Sequence, residues 1–208
     1  MNNERYQKKT GILGGTFNPI HVGHLILAQN AMEECGLDKV IFIPSGCSYL
    51  KDPKDIADTR HRVAMTDLAI QNNERFEMSS IESDREGNSY TYETFDILHK
   101  SEPETRFYYI VGADTLLFME NWKNPESIFD KCTVVCAKRD GHSGEVLEQK
   151  ADYLRQQYNA DIIIMDIEET NVSSSMIRKL LAEGKSCKYY LNDDVYGYIK
   201  ENALYGAN

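Results

Sequence analysis

Short apolar runs of strand length alternate with longer amphipathic segments along the chain, and no other feature constrains the fold as tightly. The runs are Ile12-Leu13, Lys39–Pro44, Phe76–Ile81, Arg106–Val111, Thr133–Ala137 and Asp161–Ile167, rich in β-branched or aromatic residues. Several are continuously apolar rather than alternating, as strands covered on both faces should be. Between them, His21–Cys35 places Leu25, Ala28, Met32 and Cys35 at helical spacing, with Gly36 as C-cap. Thr59–Gln71 brings Val63, Leu68 and Ile70 near one face; Tyr92–His99, Gly144–Tyr158 and Ser174–Glu183, which stops before Gly184, are further helices. Strand–helix alternation of this kind predicts an α/β fold: a doubly wound, mostly parallel sheet with helices on both faces. Residues 46–58 and 83–90 read as polar loops rather than linkers. The expectation is a single domain over 1–208, with a small helical C-terminal cap at 170–204 inside it.

Composition narrows the function classes. The 208 residues carry 23 Lys and Arg against 33 Asp and Glu, a net charge of −10. Wrapping nucleic acid needs a basic face, so no nucleic-acid partner is expected, and an anionic ligand must be met by a few placed cations and backbone amides. The five cysteines are odd in number and form no CxxC, which suits free thiols in a reducing compartment. The first ten residues lack the apolar core of a signal peptide, and no run approaches the roughly 20 apolar residues of a membrane span. A cytoplasmic protein without membrane contact is expected. No interface stripe stands out, which leaves a homo-oligomer open.

In an open parallel sheet, ligands bind beyond the carboxyl ends of the strands, near the point where strand order reverses. The first strand opens there into Gly14-Gly15-Thr16-Phe17-Asn18-Pro19-Ile20-His21-Val22-Gly23-His24. Neither GxGxxG nor GxxxxGK[ST] is present. Adjacent glycines let a phosphate or base approach the backbone, and Pro19 fixes φ ahead of a helix whose first turn offers unpaired amides. His21 and His24, three apart, share one face of that turn and can donate together to an oxyanion. A HxxH metal pair lacking further ligands, or two helix-surface histidines, are the plainer readings. Since the cluster falls where the fold expects a ligand, a phosphate site is favoured.

These residues carry a resemblance. Gly14–His24 resembles the GxFxPxHxGH signature of the nucleotidyltransferases that transfer AMP or CMP, and Val172–Arg178 (VSSSMIR) resembles their second signature, ISSTxIR. Ser89-Tyr90-Thr91, Ile110–Asp114, Trp122–Pro125, Ala137-Lys138-Arg139 and the Asp194–Ile199 tail are similar to bacterial nicotinate-nucleotide adenylyltransferases, so that the likeness spans residues 10–200. The family's Pro-Pro-His-Lys element is replaced here by Ser48-Tyr49-Leu50-Lys51, and Asn18 stands where many members have Asp.

The resemblance implies a Rossmann-like fold and attack by the 5′-phosphate of nicotinate mononucleotide on the α-phosphorus of ATP, with no covalent enzyme intermediate and no general base. It assigns His21, His24, Arg178 and Lys51 to the reacting phosphates. Gly14, Gly15, Thr16, Phe17, Gly112, Asp114, Ser174 and Ser175 join them around ATP. Tyr90, Thr91, Trp122 and Arg139 take the mononucleotide, the indole stacking on the pyridine ring and Thr91 with nearby amides meeting the carboxylate. Mg²⁺ is expected to arrive with ATP, held by the phosphates rather than by a protein metal site. Within the same chemistry, preference for nicotinamide mononucleotide and phosphopantetheine adenylyl transfer are the alternatives. A nucleotide-binding homologue without catalysis is the third.

Overall fold

The computed structural model describes residues 6–46, 56–138, 144–167 and 170–207. Strands β1 (Lys8–Gly15), β2 (Lys39–Pro44), β3 (Phe76–Met78), β4 (Thr105–Gly112), β5 (Cys132–Ala137) and β6 (Asp161–Met165) form one sheet in the order β3-β2-β1-β4-β5-β6. The β1–β4, β4–β5 and β5–β6 pairs run parallel, with Ile12 opposite Tyr109, Ile110 opposite Val135 and Cys136 opposite Ile164. Strand order reverses between β1 and β4, so the loops leaving their carboxyl ends, at Gly15 and Gly112, lie at the switch point. The sheet is the doubly wound α/β arrangement expected.

Helices α1 (Val22–Cys35), α2 (Thr59–Ile70), α3 (Thr91–Ser101), α4 (Ala113–Phe118), α5 (Pro125–Lys131), α6 (Gly144–Tyr158), α7 (Ser174–Ala182) and α8 (Asp193–Glu201) connect and follow the strands. Helices α7 and α8 with a 3-10 turn at Leu204–Gly206 make up the expected helical C-terminal cap. Gly36 and Gly184 take left-handed φ values of 60° and 67° just past α1 and α7, the C-terminal stop that glycine supplies without steric cost.

Three details differ from the sequence reading. The buried face of α2 is Arg62, Met65, Thr66, Ala69 and Ile70, not the Val63 and Leu68 stripe, because a buried arginine hides the true periodicity. Strand β3 stops at Met78 rather than Ile81: Ser79 N–H still bonds to Phe42 O (2.9 Å), but Ser80 O then accepts from Asp84 N–H (2.8 Å) and turns the chain. Between β4 and β5 lie α4, a 3-10 turn at Met119–Asn121 and α5, elements too short to show a helical period.

Contacts cluster the chain into two compact units, each discontinuous in sequence. One comprises Met1–Gly14, Leu27–Ile41 and Tyr90–Glu169; the other comprises Gly15–Ile26, Phe42–Ser89 and Thr170–Asn208. In the first, Phe95 sits edge-on to Phe107 and Tyr109 at centroid distances of 6.3 and 5.4 Å, and Val134, Val135, Leu147 and Leu154 are fully buried. In the second, Phe17, Phe42, Met65, Ile177, Val195 and Ile199 form the core, with Phe42 between Phe17 and Phe76.

Candidate active site

The glycine loop is shaped by its own aromatic residue. Phe17 takes a left-handed φ of 47° and its ring is 2% exposed, folded back so that a Cβ on Gly15 would lie 2.7 Å from Phe17 Cε1. Position 15 must therefore be glycine for packing reasons as well as for approach to a ligand. Only the Phe17 backbone remains to face a phosphate. The Asn18–Pro19 bond is cis, and the chain passes from Pro19 through buried His21 into α1.

His24 is held from both sides. The His21 and His24 rings stack at 3.8 Å, 32° apart, while Phe17 meets His24 edge-on at 5.1 Å. The His21 backbone N–H donates to His24 Nδ1 (3.2 Å). An Nδ1 that accepts cannot carry the proton, so neutral His24 carries it on Nε2 and presents that atom as a donor. Gly23 between them allows this packing: a Cβ there would lie 2.9 Å from Thr170 Oγ1 and 3.0 Å from His21 Nδ1.

The second motif joins the first within the same unit. Ser173 is the N-cap of α7, accepting from Met176 N–H (3.2 Å). Ser174 Oγ donates to Pro19 O (2.8 Å) and Arg178 Nη1 to Asn18 O (2.9 Å), so residues 155 and 160 positions apart bind at one corner. Arg178 Nη2 reaches Ser175 Oγ at 3.4 Å, and Ser175 is exposed at the helix start. Ser174 and Arg178 thus hold the loop at the same point where a phosphate would meet the α7 N-terminus.

Two residues absent from the sequence reading fix this loop. Arg62, 2% exposed, donates to Thr16 O (2.9 Å), Ala57 O (3.1 Å), Gly46 O (3.4 Å) and Thr59 Oγ1 (2.9 Å), and burial pulls its guanidinium below the ordinary arginine range. Its only sequence signal is a charged residue on an otherwise apolar helix face. Tyr205 donates to Asn18 Oδ1 (2.8 Å), which also accepts from Ala57 N–H (3.0 Å). Asn18 is thus a buried structural node.

The other unit holds the aromatic residues. Tyr90 is the N-cap of α3 and Thr91 its first residue, with no side-chain cap on that helix start. Tyr90 and Tyr92 stack at 6.1 Å, and Lys123 Nζ sits over the Tyr90 ring at 4.1 Å. Trp122 is half-buried, not a core residue, and faces Tyr109 at 6.3 Å. Its segment is anchored from α6 by the Lys150–Glu120 ion pair, which holds the Glu120 carboxyl below its usual range. Gly112 ends β4 as the N-cap of α4, where an added Cβ would meet nothing within 4 Å, and Asp114 lies in that helix's first turn. Tyr109 was not singled out from sequence, and Tyr92 and Lys123 were included only within the 89–92 and Trp122–Pro125 stretches, without roles of their own. Lys51 and Arg139 lie outside the described residues.

The cytidylyltransferase-like family model matches residues 12–180, from the glycine loop through Arg178. The chain belongs to the cytidylyltransferase-like family. Among curated members, the probable nicotinate-nucleotide adenylyltransferase of Lachnoclostridium phytofermentans is 40% identical over 198 residues, covering 95% of this chain and 99% of that protein. That of Clostridium tetani is 38% identical with the same coverage. Of solved structures, Plasmodium falciparum nicotinic acid mononucleotide adenylyltransferase complexed with NaAD superposes with a TM-score of 0.80 at 20% identity, covering 97% of this chain and 99% of that one, which shows the shared fold. Among the described residues of this cytidylyltransferase-like protein, no group of three His, Cys, Asp or Glu is placed to hold a metal ion, and no helix is long and apolar enough to cross a membrane.

Proposed function

We propose that the protein transfers the adenylyl group of ATP to nicotinate mononucleotide, giving deamido-NAD and pyrophosphate. The observation that carries this reading is the junction of the glycine loop with α7 through Ser174–Pro19 and Arg178–Asn18, which gathers the phosphate-binding groups of both motifs. The family and the relatives at about 40% identity supply the chemistry, and the Tyr90–Trp122 aromatic set suits a pyridine ring.

An oxygen of the mononucleotide 5′-phosphate forms a bond to the α-phosphorus of ATP. The bond from that phosphorus to the bridging oxygen breaks, and its electron pair leaves with pyrophosphate. A phosphate monoester is already a nucleophile at neutral pH, so the protein's part is alignment and charge neutralisation. His24 donates from Nε2 to a non-bridging oxygen, with His21 packed behind it. Arg178 and the α7 N-terminus take the outer phosphates, and Lys51 assists from its loop. ATP is used as its magnesium complex, the ion carried by the phosphates; Asp114 in the first turn of α4 suits a contact to a metal-bound water or a ribose hydroxyl. Thr91 and the start of α3 receive the carboxylate, and Trp122 and Arg139 complete the mononucleotide site. The reaction belongs in the cytoplasm, in keeping with cysteines that suit free thiols in a reducing compartment.

Pyrophosphate release measured with ATP and nicotinate mononucleotide, nicotinamide mononucleotide or phosphopantetheine in parallel tests the reading. Turnover is expected with the first and a much lower rate with the others. A chain that turns over neither pyridine mononucleotide is not this enzyme.

A further inference from the structure

The last described residues of the chain double back onto the glycine loop. Ala203, Tyr205 and Gly206 all take left-handed φ values, 47°, 58° and 76°, and bend the segment after α8 sharply. Such a conformation is unfavourable for a residue bearing a Cβ, so two non-glycine residues adopt it here only because something at the end of the bend is worth reaching. The Leu204–Gly206 turn packs against α7, where a Cβ on Gly206 would lie 3.6 Å from Ala182 Cα, and Ala207 beyond it is 5% exposed.

What the bend delivers is one hydroxyl. Tyr205 Oη donates to Asn18 Oδ1 at 2.8 Å, across 187 residues of sequence. Asn18 Oδ1 has two lone pairs, and the second accepts Ala57 N–H at 3.0 Å. The Asn18 backbone carbonyl accepts Arg178 Nη1 at 2.9 Å, and the next carbonyl, Pro19 O, accepts Ser174 Oγ at 2.8 Å. Asn18 is therefore gripped at its side chain by Tyr205 and at its backbone by Arg178. Burial raises the Tyr205 hydroxyl well above its ordinary range, so it remains a donor at any working pH.

We propose that Tyr205 is a positioning residue for the triphosphate site: by clamping Asn18 Oδ1 it fixes the carbonyl that orients the Arg178 guanidinium. This rests on the reading that Arg178 and the glycine loop take the phosphates of ATP. With the hydroxyl absent, Asn18 Oδ1 loses the Tyr205 donor beside that of Ala57, the loop carbonyl is held less firmly, and the Arg178 guanidinium bonded to it is aimed less well. The cost falls on ATP. The aromatic set at Tyr90 and Trp122 makes no part of this network, so the mononucleotide is not affected.

The test is Tyr205→Phe in the full chain, which deletes one oxygen and keeps the ring. The expected result is a KM for ATP raised about three- to tenfold, the effect of one lost hydrogen bond, with the mononucleotide KM unchanged. ATP affinity by calorimetry falls by the same factor, and a thermal midpoint confirms that the variant is folded. In an Asn18→Ala background the same substitution should add nothing, because its effect passes through Asn18. If that background does not fold, the calorimetric titration of Tyr205→Phe alone decides. Equal changes in both KM values, or a lower thermal midpoint with ATP affinity intact, would make Tyr205 a structural anchor and overturn the proposal. Should the wild type turn over no ATP with nicotinate mononucleotide, the functional reading fails. A wild type that does turn over, beside an indifferent Tyr205→Phe, sinks the positioning role alone.

Discussion

At the scale of single residues, the proposed reaction divides the site into groups that would face substrate and groups that hold those groups still. His24 belongs to the first set: its Nδ1 is spent on the His21 N–H, and its ring is clamped between His21 and Phe17. A donor that needs no reorganisation is the kind whose loss costs about 2.7–4 kcal/mol in the transition state. His24→Ala is therefore expected to lower kcat by at least about a hundredfold while circular dichroism and the thermal midpoint stay near wild type; near-normal kcat would remove it from the reaction. Trp122 is half-buried, its ring 6.3 Å from that of Tyr109. Trp122→Ala should then weaken nicotinate mononucleotide binding by about 1–3 kcal/mol and leave ATP binding nearly intact, with Trp122→Phe recovering part of the loss. A core tryptophan would instead lose about 3–5 kcal/mol of stability, so a binding titration for each ligand beside a melting curve separates the two roles.

At the scale of elements, helix starts and the turns before them carry most of the function, and they were legible to different degrees. Ser173 as N-cap of α7 could be read directly, because a serine run before an apolar helical repeat has few other uses. Ser173→Ala is expected to cost about 1 kcal/mol of stability, seen as a lower midpoint in urea, since Met176 N–H loses its acceptor. An unchanged midpoint would mean that Ser174 and Ser175 take over the cap. The glycine loop was legible as a ligand site, yet the reason for Gly15 was not, because only the folded-back Phe17 ring shows why a Cβ there would clash. Arg62 was invisible for the opposite cause: hydrophobic periodicity treats a charged residue as solvent-facing, whereas this one is buried and spends its donors on Thr16, Gly46, Ala57 and Thr59. Helix α5 was not read from the sequence: Pro125 at its first turn, Glu126 beside it and Lys131 at its end are end signals, but seven residues give too few turns for a period to emerge.

At the scale of the whole molecule, a chain of net charge −10 binds anions through local groups that its overall charge opposes. The residues proposed for the phosphates, His21, His24, Ser174 and Arg178, lie in one compact unit, and those proposed for the mononucleotide, Tyr90, Thr91 and Trp122, in the other. The sequence suggested one domain, and the clustering sharpens the question of how cooperatively the chain unfolds. The unit boundaries fall at Gly14/Gly15 inside β1, at Ile26/Leu27 inside α1 and at Ile41/Phe42 inside β2. Neither unit can unfold without breaking a helix or strand that continues into the other, and helix breakage in mid-element is opposed by the cost of renucleation. A single cooperative transition is expected, with calorimetric and van't Hoff enthalpies equal. Saturating ATP makes the test sharper, because the groups proposed for its phosphates, His21, His24, Ser174 and Arg178, belong to one unit. At a hundred times its dissociation constant it should add about 2.7 kcal/mol. For a chain of this length that raises the midpoint by roughly 5–11 °C. If the units were independent, ATP would lift chiefly the transition of the unit carrying Arg178 and split the trace into two steps. A single peak that moves as one would mean that binding at the glycine loop stabilises the Trp122 unit as well.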